Sequence, residues 1–101
     1  MTITACIVDE WGKEQEWIDD PTASIGQLLA RVDSASPALL KWIDPEGETV
    51  FNRLQAVQLI DELKALQQLQ LSPAELDLAK RLTRAARRCK TERLYLRFRG
   101  D

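Results

Sequence analysis

Lys80, Arg81, Arg84, Arg87 and Arg88 are spaced so that a helix carrying them gathers five cations on its solvent side. Lys90 lies just beyond, and Arg97 and Arg99 carry the positive field onto the segment that follows. Such a stripe can hold the phosphates of a nucleic acid or the carboxylates of an acidic protein surface. The plainer alternative is a solvated helix face. Positive charge late in a helix suits its dipole, and Asp77, four residues before Arg81, can pair with it. Two features weigh against nucleic acid. The chain is acidic overall, at −2, and it has no Gly-rich loop and no aromatic-basic run of the kind that stacks bases.

A second constellation lies in the N-terminal part, where Trp11 and Trp17 stand among Asp9, Glu10, Glu14, Glu16, Asp19 and Asp20. Trp supplies large contact area at interfaces and carboxylates steer a basic partner, so Trp11, Glu14, Glu16, Trp17 and Asp20 are the expected partner-binding residues. The competing reading is that Trp17, and Trp11 with it, pack onto a sheet. A third cluster, Asp44, Glu46 and Glu48 beside Asn52, lacks the spacing of a calcium loop and sits where a turn and a helix cap need side-chain acceptors.

The sequence contains no histidine. That excludes Ser-His and Cys-His nucleophile pairs, His-ligated metals and His general bases. Cys6 and Cys89 stand far apart with no CxxC spacing, so they are expected to be buried, reduced thiols rather than a disulfide or zinc knuckle. No metal, cofactor or catalytic constellation is expected, and a non-enzymatic protein follows.

These residues must be positioned by a chain of 101 residues, 45% apolar and 30% charged, which is one domain with a core of its own. Residues 1–62 carry four basic and twelve acidic groups, a net −8, while residues 63–101 carry ten basic and four acidic, a net +6. The expectation is a dipolar molecule. With no apolar run of bilayer length and no basic region ahead of a long apolar segment at the N-terminus, it is placed in the cytoplasm.

Residues 2–8 alternate as a strand, residues 14–18 return as a second strand, and Ser24 with Gln27 offers a capping box for a short helix bearing Ile25, Leu28, Leu29 and Val32. Residues 39–43 read as a strand forming a hairpin with residues 48–51 across the turn at 44–47; a helical turn starting at Ser36 and Pro37 competes. Asn52 and Gln55 open a long helix with Ala56, Leu59, Ile60, Leu63 and Leu66 on one face. Ser72, Pro73 and Glu75 open another, with a stripe of Leu78, Ala79, Leu82, Ala85, Ala86 and Cys89. Residues 93–99 alternate as a terminal strand, with Leu94, Leu96 and Phe98 inward and Tyr95, Arg97 and Arg99 in water. The predicted order is ββαββααβ, a single α+β domain with a mostly antiparallel sheet covered on one face by helices.

Two segments, Asp44-Pro45-x-Gly47-x-Thr49-Val50-Phe51-Asn52-Arg53-Leu54-Gln55 and Tyr95-Leu96-x-Phe98-x-Gly100-Asp101, resemble a group of small stand-alone bacterial proteins to which no activity is attached. The resemblance implies a one-domain bacterial cytosolic protein and no site residues. The expected function is a protein-binding module, in its most concrete form a toxin-neutralising immunity protein whose partner is a basic toxin domain. A small nucleic-acid-binding regulator using Lys80, Arg81, Arg84, Arg87 and Arg88 is the alternative. No membrane contact is expected, and a homodimer through a free sheet edge stays open.

Overall fold

The computed structural model describes residues 2–32 and 38–100. Four strands, β1 (Ile3–Val8), β2 (Glu14–Trp17), β3 (Glu48–Phe51) and β4 (Tyr95–Gly100), form one antiparallel sheet in the order β2-β1-β4-β3. Three α-helices, α1 (Ile25–Leu29), α2 (Arg53–Leu66) and α3 (Pro73–Glu92), complete the domain. The α+β class and the antiparallel sheet with helices on one face are as the sequence predicts.

Alternation decides which side of the sheet meets the helices. Ile3, Ala5 and Ile7 of β1, Phe51 of β3, and Leu96 and Phe98 of β4 point into a core completed by Leu59 and Leu63 of α2 and Leu78, Leu82 and Ala86 of α3. Every residue expected on the buried faces of α2 and α3 is buried. The small Ala79, Ala85 and Ala86 let α3 lie close against α2.

Both long helices begin with complete capping boxes. The Asn52 side chain accepts from the amides of Leu54 and Gln55 while Gln55 returns a bond to the Asn52 amide, and Ser72 and Glu75 do the same at α3. The box expected at Ser24 does not form. There the Asp20 carboxylate accepts from the amides of Ser24 and Ile25, at 2.8 and 3.1 Å, and starts α1 from four residues upstream.

The strand expected at residues 39–43 is instead a 3-10 helix, Leu39–Trp42, so β3 pairs with β4 rather than closing a local hairpin. The buried residues are Leu40 and Ile43, three apart, with Lys41 and Trp42 exposed, which is a helical rather than a two-residue spacing. The Glu62 carboxylate of α2 accepts the amides of Leu39 and Leu40, at 2.8 and 3.0 Å, and secures the start of this turn. The competing helical turn is thus favoured, although its start at Ser36 and Pro37 lies outside the described residues. In the 44–47 turn, Asp44 Oδ1 accepts from the Glu46 amide at 2.9 Å. Gly47 needs no left-handed backbone there; the glycine with positive φ is Gly12, at +80° in the β1–β2 turn.

Glu75 is buried at the start of α3, where Arg31 donates from Nε and Nη2 at 3.0 and 3.2 Å. Arg31 and then the Ser72 amide hold its carboxyl down at about 2, against an ordinary 4.5. A depressed carboxyl contributes stability that is fully present above the ordinary value and is lost as pH falls toward the folded one. Glu75→Gln keeps a residue able to close the capping box and removes only the charge. The stability difference between wild type and E75Q is therefore expected to shrink as urea titrations move from pH 5 to pH 2, and a constant difference would contradict this account.

Candidate protein-binding surface

The sheet face away from the core is exposed at its margins and buried at its centre, where Cys6, Val8 and Arg97 lie. Register places its side chains in rows across the strands. Trp17 of β2 stands opposite Cys6 of β1, Cys6 opposite Arg97 of β4, and Arg97 opposite Val50 of β3, giving one rung through all four strands. Beside it lie Glu14, Val8 and Tyr95 on one side and Thr4, Arg99 and Glu48 on the other. Trp17 is 51% exposed and Val50 44% exposed, so the ends of the rung are open apolar surface.

The middle of the rung is different. Arg97, expected in water, is only 7% exposed. Its Nη2 donates to Glu14 Oε1 at 3.2 Å, while its Nε–H is buried with no hydrogen-bond partner. Glu14 also accepts from Trp17 Nε1–H at 2.9 Å, so one carboxylate orients both the exposed indole and the buried guanidinium. Burial pushes the Cys6 thiol upward, with the adjacent Arg97 opposing part of that rise. Cys89, in the helical layer, is pushed up to about 12 by burial. Both cysteines are free and buried, as expected, and neither has the depressed pKa of a reactive thiol.

The expected partner-binding residues are distributed over several places. Glu14 and Trp17 share the open face. Glu16, next to Trp17 in β2, alternates to the opposite side, where it meets Arg88 of α3 at 2.7 Å, and the register shift between Ile7 and Val8 is what brings Glu14 onto the face of Trp17. Asp20 is engaged in starting α1. Trp11, 83% exposed, stands at the tip of the β1–β2 turn, whose amides at Trp11 and Lys13 are held by Asp9. Trp11 does not pack onto the sheet, while Trp17 lies on it and stays half exposed. Sequence reasoning missed Val50 and the burial of Arg97, because alternation indicates which residues point outward but not which strands flank them.

The basic stripe also divides. Arg81 bonds Asp19 and Asp77, at 3.2 and 3.0 Å, and Arg88 bonds Glu16 and Glu92, at 2.7 and 2.9 Å. Lys80, Arg84 and Arg87 line a groove shared with Lys64 of α2, and Arg84 also borders the groove of Glu16, Trp17, Asp19 and Arg81. With Arg97–Glu14 and Arg99–Glu48, four of these ion pairs join a base of residues 63–101 to an acid of residues 1–62. The expected dipole is folded in on itself by these pairs.

No protein-family model, no curated protein and no solved structure matches this chain. The two segments that carry the family resemblance are neighbours in space. β3 pairs with β4 along its length, and the Gly100 amide donates to the Gly47 carbonyl at 2.8 Å. No helix among the described residues is long and apolar enough to cross a membrane.

Proposed function

We propose that the chain is a non-enzymatic, cytoplasmic protein-binding module whose contact surface is the open face of the sheet. The observation that carries this reading is the rung Trp17, Cys6, Arg97 and Val50, with its exposed indole held by a carboxylate that is itself held by a buried Arg. Trp, Tyr and Arg are the residue types that dominate interface energetics, and a pre-oriented indole loses little freedom on binding. Four acidic groups outside this face have structural work. Asp9 holds a turn, Asp20 starts α1, Asp44 closes the 44–47 turn and Glu62 anchors the 3-10 helix.

A toxin-neutralising immunity protein is the concrete form of this reading, its partner a basic domain drawn to Glu10, Glu14 and Glu48. A basic partner would have to compete with Arg97 for Glu14 and with Arg99 for Glu48. Apolar contact through Trp17 and Val50 therefore carries the affinity, and charge sets the approach.

The test is affinity capture of the tagged protein from bacterial cells at low salt, with nuclease treatment, beside a Trp17→Ala variant shown to melt normally. A stoichiometric protein partner is expected with wild type, and its affinity for W17A is expected to fall about ten-fold or more. Equal retention by W17A would remove the open face from consideration.

A further inference from the structure

Of the cations with no ion pair to a described residue, four gather in one place. Lys80, Arg84 and Arg87 follow one another at four- and three-residue steps along α3, and Lys64 of α2 faces them across a groove of about 270 Å³. The floor of the groove is polar and already satisfied: Gln67 Nε2 donates to Thr83 Oγ1 at 3.1 Å, and Thr83 Oγ1 donates to the Ala79 carbonyl at 2.7 Å. None of the four cations is ion-paired to a described residue, whereas Arg81 and Arg88 on the adjoining stripe of α3 each bond two carboxylates. Like charges one helical turn apart repel, so the isolated fold carries an uncompensated cluster.

We infer that this groove between α2 and α3 is a second docking surface and that it takes an acidic segment of a protein partner, with carboxylates at helical spacing opposite Lys80, Arg84 and Arg87. Charge complementarity identifies the chemistry, and extent selects the class of partner. The cations along α3 cover residues 80–87, about 10 Å of helix, which suits three or four carboxylates and is short for the six to ten phosphate contacts of a typical nucleic-acid footprint. No aromatic residue lines this groove: Trp11 stands at the β1–β2 turn, Trp42 on the 3-10 helix beside Lys41, and Trp17 in the neighbouring groove, which shares Arg84. The groove thus has no stacking platform for bases. A chain of net charge −2 also disfavours a long polyanion. Arg84 also lines the neighbouring groove that holds Trp17, so the two surfaces adjoin and one partner could span both.

The probe is a fluorescein-labelled Glu-rich helical peptide, read by fluorescence anisotropy at low salt, with a labelled single-stranded oligonucleotide of the same charge as competitor class. Lys80→Gln combined with Arg84→Gln is expected to weaken peptide binding about ten-fold. Lys13→Gln combined with Lys41→Gln makes the same charge change on other surfaces and is expected to leave binding as in wild type. All four positions are exposed, and thermal melts confirm that both double variants stay folded. The inference is overturned if the two double variants weaken binding equally, if the oligonucleotide binds more tightly than the peptide, or if wild type binds neither.

Discussion

Phe98→Ala is expected to remove about 3–5 kcal/mol of folding stability, a large share of the roughly 5–15 kcal/mol that a domain of this kind possesses. Phe98 is fully buried in β4, with Ala5 opposite on β1 and Thr49 opposite on β3. Its ring meets Phe51 edge-on, with centroids 6.1 Å apart and planes at 77°, the arrangement that a ring quadrupole favours. Truncation leaves a cavity under the middle of the sheet, and the flanking Ala5 is too small to fill it. Urea denaturation at neutral pH measures the loss. A change below about 1 kcal/mol would mean that the core collapses around the vacancy far more readily than its packing suggests.

Gly100→Ala is expected to destabilise by about 1–3 kcal/mol, although it adds a single methyl at a partly exposed position. A Cβ there would land on the Pro45 carbonyl oxygen and crowd the Glu46 nitrogen. These are backbone atoms and cannot rotate away. Either the end of β4 lifts or the 44–47 turn shifts, and the bond from the Gly100 amide to the Gly47 carbonyl is strained in both cases. Gly47→Ala is the contrasting variant. Its Cβ would meet the Asp44 carboxylate, a side chain that can swing aside at the loss of one turn hydrogen bond. Thermal melts should rank G100A clearly below G47A, and equal melting temperatures would contradict the steric account.

Much of this architecture was legible because local signals agreed. Ser72, Pro73 and Glu75 open α3 where the sequence places its start, since cap geometry depends on neighbours three residues apart. The buried stripes of α2 and α3 follow from periodicity alone. Residues 39–43 misled because five residues cannot separate a two-residue from a three-residue period, and the deciding acceptor, Glu62, lies over twenty residues downstream. The surfaces were harder to read for the same reason. Composition shows an acidic half and a basic half, but Glu14–Arg97 and Glu16–Arg88 are formed by the fold and are separated in sequence by 83 and 72 residues. Only the fold reveals that Lys64, Lys80, Arg84 and Arg87, none of them ion-paired to a described residue, come together in one groove.

The strand order has a consequence for the order of events during synthesis. β4, the last of the four strands to be translated, lies between β1 and β3. Until residues 95–100 are available, the β1–β2 hairpin and β3 have no strand in common, and Arg97 is not there to bridge Cys6 and Val50. A nascent chain can form α2 and α3 early, because helical contacts are local, yet it must keep Ile3, Ala5 and Ile7 uncovered by their final neighbour for most of the time translation takes. At about 5–20 residues per second that interval is several seconds, during which the edge of β1 away from β2 is unpaired and open to chaperones or to another nascent chain.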